Sequence, residues 1–326
     1  MSDTKSWNVK NPVLYNDFKN LKITVTGGNG FLGRHLVAQL IERGAQKENI
    51  YCPTSRECDL RKPQDAAQAV KNKDLVIHLA ARVGGIGLNQ KCPADLIYDN
   101  ATMGINVIHE SHKAKVKKIV VAGTVCAYPK FTPVPFKEED LWNGYPEETN
   151  APYGVAKKLL LVALQSYRQQ YNLSGIFLLP ANLYGPHDNF DLESSHVIPA
   201  MIRKFVEART NETPTVTLWG DGSPSREFLY VEDCARGIIE ATLKYDGPEA
   251  INLGTHEETQ IKYLAETVKD LVGYSGLIQW DTNRPNGQPK RQLDVSRAVE
   301  AFNFKAQVTL RDGLKKTIDW YAENKL

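Results

Sequence analysis

No stretch of this chain is long and apolar enough to cross a membrane as a helix: nothing approaches the roughly 18 consecutive apolar residues a span requires. The N-terminus, MSDTKSWNVKNPVLYNDFKN, is polar and lacks the continuous apolar centre of a signal peptide. An excess of one charge is missing too. The 326 residues carry 40 Lys and Arg against 38 Asp and Glu, a formal charge of +2 with no basic run, so the footprint of a nucleic-acid binder is absent. Cysteine is scarce. Cys52, Cys58, Cys92, Cys126 and Cys234 are odd in number and stand at no metal-ligand spacing, which argues against both a disulfide framework and a metal site. There is no internal repeat and no low-complexity tract. The expectation from these absences is a soluble, cytoplasmic protein with no membrane, nucleic-acid or metal partner, long enough for two lobes at about 100 to 200 residues per domain.

What is present is organised around Leu21 to Leu36, LKITVTGGNGFLGRHL, which reads as a buried strand, a glycine turn and the start of a helix. Ile23, Val25 and Thr26 are β-branched, as suits a strand covered on both faces. Gly27, Gly30 and Gly33 are spaced G-x-x-G-x-x-G, one residue wider at the first gap than the commonest dinucleotide fingerprint. Gly27 is expected to make the tight turn, Gly30 to let backbone approach a pyrophosphate, and Gly33 to bring the helix close to the strand. The helix N-terminus would supply N–H donors and partial positive charge. The run Gly27, Gly28, Asn29, Gly30, Phe31, Leu32, Gly33 is therefore a candidate cofactor cradle of Rossmann type.

Further strands are expected at Ile50 to Cys52, Leu75 to Leu79 and Lys118 to Ala122, with an amphipathic helix from Ala94 to Lys113. A site for NAD usually has a carboxylate about 20 residues beyond the glycines, whereas an NADP site has an arginine. This chain offers Pro53, Thr54, Ser55 and Arg56, which favours NADP, with Arg56 and Ser55 on the 2′-phosphate. The last of these strands ends in Gly123, Thr124, Val125 and Cys126, at the edge where an open α/β sheet binds its ligand. A proline-rich connection then leads to Tyr153 and Lys157, at i and i+4 on one face of a long helix. A lysine within reach is expected to lower the phenol's pKa and make it a usable acid or base. Another strand is expected to break at Pro180 into a loop, followed by a helix capped by Ser195. Beyond about residue 186 the alternation becomes irregular, although Glu232, Asp233 and their helix are expected to return to the first lobe. The fold expected is α/β: a Rossmann-type doubly wound parallel sheet over 1–185, and a smaller C-terminal α/β substrate lobe over 186–326.

Seven segments in order, LAARVGGIG, PADLIYDN, VCAYPK, NAPYGVAKK, ANLYGPHDNF, SSHVIPAMIRKF and WGDGSPSREFLYV, together with the glycine turn, resemble the extended short-chain dehydrogenase/reductase superfamily. Within it, the chain is most similar to the branch that converts GDP-4-keto-6-deoxy-D-mannose to GDP-L-fucose with NADPH. The resemblance implies that Tyr153 donates a proton to the C4 carbonyl oxygen, that Lys157 holds the nicotinamide ribose, and that Thr124 hydrogen-bonds the same oxygen. It implies that Cys126 and His196 are the acid/base pair that inverts C3 and C5 before reduction. For NADP(H) it implies the glycine run, Arg56, Ala122, Gly123, Thr124, Val125, Lys157, Pro180, Ala181, Asn182, Leu183 and His196. For the GDP-sugar it implies Lys204, Trp219, Arg226 and Asn286, cations for the diphosphate and an indole for a flat contact. A homodimer paired through the long helices near Ala101 and Leu160 is also implied. Two positions depart from the pattern: Thr124 stands where the family usually has Ser, and Asn286 where it often has Asp. A 4,6-dehydratase commonly has Asp-Glu where this chain has Val125 and Cys126, and a 4-epimerase retains NAD and needs no Cys/His pair. A catalytically silent dinucleotide-binding protein is expected to lose Tyr153 or Lys157, and both are present.

Overall fold

Short β-branched runs separated by amphipathic helices fold as parallel strands buried on both faces, because each crossover lays a helix over the sheet. The computed structural model describes residues 12–284 and 288–325. Its main sheet contains β1 (Ile23–Thr26), β2 (Ile50–Tyr51), β3 (Leu75–His78), β4 (Lys118–Ala122), β5 (Ser174–Pro180) and, much later in the chain, β10 (Ala250–Leu253). All pair in parallel in the order β10-β5-β4-β3-β1-β2. Ile23 is level with Ile50 on one side and Leu75 on the other. The winding reverses between β1 and β3, so the loops leaving their carboxyl ends diverge and open a crevice.

Helices α1 (Phe31–Glu42), α2 (Pro63–Val70), α3 (Ile86–Lys91), α4 (Pro93–Lys113) and α5 (Ala151–Tyr171) belong to this first part of the chain. The pair α4 and α5 packs so closely that a Cβ on Gly104 would lie 2.3 Å from a methyl carbon of Leu160. Leu160 is thus turned inward, whereas Ile97, Tyr98, Leu159, Val162 and, at the end of α5, Tyr171 are exposed. Helix α7 (Val231–Lys244) lies against α1: Gln39 Nε2 donates to the Glu232 carbonyl at 3.0 Å, and Arg43 pairs with Glu240 at 3.0 Å.

The N-terminal arm packs from Val13 onward. Its N–H donates to Asp246 Oδ2 at 2.6 Å, and Phe18 is fully buried. Asp246 also takes Arg168 Nη2 at 2.7 Å and the Ser174 hydroxyl at 2.7 Å, so a carboxylate withdrawn from water has several donors to replace hydration. The expectations for residues 1–11 lie outside the described residues.

A second core forms around α6 (Val197–Thr210), β7 (Thr215–Trp219), α8 (Ile261–Val272) and α10 (Leu310–Lys325). Strand β12 (Leu277–Asp281) runs parallel to β7, and β8 (Ser225–Arg226) runs antiparallel to β11 (Thr259–Gln260). Two local expectations are corrected. The chain does not break into loop at Pro180: β6 (Asn182–Tyr184) follows and pairs with β9 (Phe228–Tyr230), since a proline as last residue removes only one donor from the ladder. Ser195 does not cap α6. The turn 191–195, in which the Ser195 N–H donates to the Asp191 carbonyl at 2.8 Å, leaves Ser195 one residue short, and His196 is the N-cap, without a side-chain cap bond.

Candidate active site

A cavity of about 1250 Å³ runs along the carboxyl ends of β1, β3, β4 and β5 and continues beneath the second lobe. At the β1 end the backbone is shaped by glycine. Gly27 has φ +74°, and a Cβ there would stand 2.8 Å from the Ala80 nitrogen. A Cβ on Gly33 would stand 2.1 Å from the Gly27 carbonyl oxygen, so any side chain would push α1 off the strand. Gly30 is the N-cap of α1 and offers no side-chain cap, which leaves bare N–H donors at a helix end lined by Asn29, Gly30, Phe31, Leu32 and Gly33. A glycine cradle with an uncapped helix N-terminus is chemically suited to a dinucleotide pyrophosphate. Gly28 is not in the lining, and a Cβ there would stand 2.5 Å from Cys52 Sγ. Thr54 and Ser55 line the cavity. Arg56 is exposed just outside its lining, with no ion pair or hydrogen bond among the described residues.

The chemical end is built where β4 runs out. Ala122, Gly123, Thr124, Val125 and Cys126 line the wall, and the Cys126 N–H donates to Thr124 Oγ1 at 3.2 Å. From α5, Tyr153 and Lys157 enter the same wall; both are almost wholly buried. The expected electrostatic help from lysine is corrected here. Lys157 Nζ lies 6.0 Å from the Tyr153 ring and donates to the Ala122 carbonyl at 2.9 Å. Burial pushes the Tyr153 phenol above its usual range, the neighbouring Cys126 adds to this, and a hydrogen bond with Thr124 opposes it. Loss of hydration therefore outweighs any effect of the lysine, and the phenol is held in its protonated, donating form. Burial alone lowers Lys157 to about 8. One N–H of its ammonium is used by Ala122, which leaves two for ribose hydroxyls.

Pro180, Ala181, Asn182 and Leu183 continue the lining after β5. His196 enters from the start of α6, exposed to the cavity yet walled in by protein, and this enclosure lowers its pKa. Lys204 also faces the cavity, with Nζ donating to the Thr217 carbonyl at 2.9 Å. Trp219 lines the far end, half exposed, and Arg284 lies over its ring at 4.9 Å. Arg226 completes this end. Burial lowers its pKa to about 10, helped by Arg291 and opposed by Cys126; a guanidinium in that range remains charged at neutral pH. Asn286 lies outside the described residues.

Sequence reasoning missed Arg291, which lines the cavity and donates from Nη1 to Cys126 Sγ at 3.6 Å across 165 positions of chain. No local spacing signals so distant a contact. It also missed a polar run before Tyr153, in which Asn89 donates to Asn150 at 2.9 Å and Asn150 to Glu147 at 2.6 Å.

Residues 23–254 match the family described as NAD dependent epimerase/dehydratase. GDP-L-fucose synthase 1 of Arabidopsis thaliana is 41% identical over 308 residues, covering 94% of both chains. Among solved structures, a GDP-6-OMe-4-keto-L-xylo-heptose reductase from C. jejuni has a TM-score of 0.88 at 30% identity, covering 94% of this chain and 99% of that one. A GDP-L-fucose synthetase from Naegleria fowleri bound to NADP has a TM-score of 0.85 at 30% identity, covering 97% and 96%. With a glycine cradle at one end of its cavity, a buried Tyr/Lys wall at the other and these relatives over nearly its whole length, the chain belongs to the NAD dependent epimerase/dehydratase family and, within it, to the GDP-L-fucose synthase family.

Proposed function

We propose that this chain inverts C3 and C5 of GDP-4-keto-6-deoxy-D-mannose and then reduces C4 with NADPH, yielding GDP-L-fucose. The observation that carries the reading is one cavity lined both by Tyr153, Lys157 and Thr124 and by Cys126 and His196, the last from the opposite lobe. The carbonyl oxygen at C4 accepts hydrogen bonds from Tyr153 and Thr124, which also stabilise the enolate formed when a proton leaves C3 or C5. Cys126 and His196 exchange that proton on opposite faces of the ring. NADPH, when bound, supplies the hydride. Tyr153 then gives its proton to O4, while Lys157 holds the nicotinamide ribose. Residues 1–185 with α7 and β10 serve the cofactor, and most of 186–326 the GDP-sugar, through Lys204, Trp219 and Arg226.

The test combines purified protein, GDP-mannose, a partner 4,6-dehydratase and NADPH, and identifies the sugar product. GDP-L-fucose is expected. A 6-deoxy sugar unchanged at C3 and C5 would instead favour a plain 4-ketoreductase, the reading to which the likeness to a keto-heptose reductase lends support. A homodimer fits the exposed Ile97, Tyr98, Leu159 and Val162 on α4 and α5, and sedimentation of the same preparation reads its mass.

For cofactor choice, Arg56 is an exposed cation next to the cavity-lining Ser55, which supports it as the group that meets a ribose 2′-phosphate. Arg56→Ala is expected to lower kcat/KM for NADPH about tenfold, the worth of one charge-assisted bond, and to leave NADH almost unaffected. Equal losses with both cofactors would remove Arg56 from the 2′-phosphate site.

A further inference from the structure

Arg291 enters the cavity wall from the segment that follows β12. Its side chain is buried, at 9% exposure, and pinned along its length. Nε donates to Gln288 Oε1 at 2.7 Å, and Gln288 Nε2 donates to the Lys130 carbonyl at 2.6 Å. The backbone is fixed on both sides, since the Ser225 N–H donates to the Pro289 carbonyl at 2.9 Å and the Leu293 N–H donates to Glu227 Oε2 at 2.6 Å. The guanidinium is thus delivered to Cys126 Sγ at 3.6 Å by a frame with little freedom.

The other groups around Cys126 do not neutralise this cation. Tyr153 and Lys157 face the thiol's wall from α5, Arg226 from β8, and His196 from the start of α6. Glu147, the carboxylate that precedes α5, is occupied by Thr149 and Asn150, and Lys290 pairs with Glu258. Among the described residues neither Arg291 nor Arg226 has a carboxylate ion-pair partner. A cation buried without a counter-ion is costly, and the sulfur at its tip is the group able to become one.

We propose that Arg291 is the positioning residue of Cys126: it fixes the sulfur in the cavity and, as its counter-charge, favours the thiolate. Resting on the proposed epimerisation, the consequence is that the thiolate takes the proton from C3 or C5. The C–H bond breaks, the proton goes to Sγ, the electron pair passes into the enolate, and a proton returned to the other face restores the ketone.

The test needs no substrate. Iodoacetamide alkylation of Cys126 is followed by mass spectrometry of its peptide, from mildly acidic to alkaline pH, in the parent, Arg291→Met and Arg291→Lys. Loss of a unit charge at this distance is expected to slow alkylation at neutral pH about tenfold and move the pH profile up by about one pH unit. Lysine should restore most of both. An unchanged profile in an Arg291→Met protein with parental thermal unfolding overturns the proposal. If Arg291→Met does not fold, Gln288→Ala loosens the guanidinium while keeping its charge; a smaller shift in the same direction is then expected, and none overturns the proposal. Parent protein that shows the Arg291-dependent profile but makes no GDP-L-fucose would sink the proposed function and leave this pairing standing.

Discussion

Tyr153→Phe is expected to slow reduction of the 4-keto sugar by roughly 10²-fold or more, the scale of positioned general acid catalysis. The substitution removes one hydroxyl and keeps the ring that fills the wall beside Thr124 and Cys126. Cofactor affinity should therefore change little, and single-turnover oxidation of NADPH reads the chemical step directly. Burial makes the case sharper than the sequence does. A solvent-exposed phenol could be replaced by water as the proton source, whereas Tyr153 is only 9% exposed and its protonated form is favoured by its surroundings. Thr124 and Lys157 are poor substitutes: a threonine hydroxyl is a much weaker acid, and Lys157 is directed to the Ala122 carbonyl. Near-parental turnover in the mutant would require another acid within reach of O4.

The parts of the site that could be read in the sequence are those whose chemistry is local. A β-branched run, a glycine turn and an amphipathic helix are consecutive, so the local backbone of Ile23 to Gly33 was legible: Gly27 does take a positive φ, and Gly33 does bring the helix onto the turn. The i, i+4 spacing of Tyr153 and Lys157 likewise brings both to one wall. Spacing could not give direction or solvation. Lys157 is drawn to a backbone carbonyl, and the phenol responds to burial rather than to the lysine, because desolvation depends on what covers the pair. Contacts closed over long stretches of chain were the least legible. β10 returns to complete the main sheet, β6 pairs with β9 across the strands' own loops, and Arg291 meets Cys126 only through the Gln288 and Glu227 frame. Nothing in RPNGQPKRQLD marks one of its two adjacent basic residues as buried. Lys290 is at the surface with Glu258, and Arg291 is in the wall.

Cys126→Ser and His196→Asn are expected to cut solvent deuterium incorporation at C3 and C5 by roughly 10²-fold or more, again the scale of a lost acid or base. Inversion needs a group on each face of the sugar, and a single side chain cannot reach both without the ring turning over. The two residues come from distant parts of the chain, Cys126 from the turn after β4 and His196 from the N-cap of α6, and both line the same cavity. Serine keeps the size of the thiol but is too weak an acid to supply the anion, and asparagine keeps a polar side chain that cannot carry the proton. In the Cys126→Ser protein the hydride step should persist on the uninverted ketone and give a different 6-deoxy sugar, which separates this result from a folding defect. The sign of the pH dependence follows from burial. Because the cavity lowers the pKa of His196, the imidazolium proposed to return a proton is a minority form at neutral pH and becomes scarcer as pH rises. Parental wash-in should fall with rising pH only where the base is already fully ionised, because below that point the gain in thiolate offsets the loss of imidazolium, and the small residual rate in His196→Asn should lack that alkaline fall. Deuterium entering C3 and C5 of both mutants at the parental rate would exclude the pair as the epimerising groups and leave the protein a simple 4-ketoreductase.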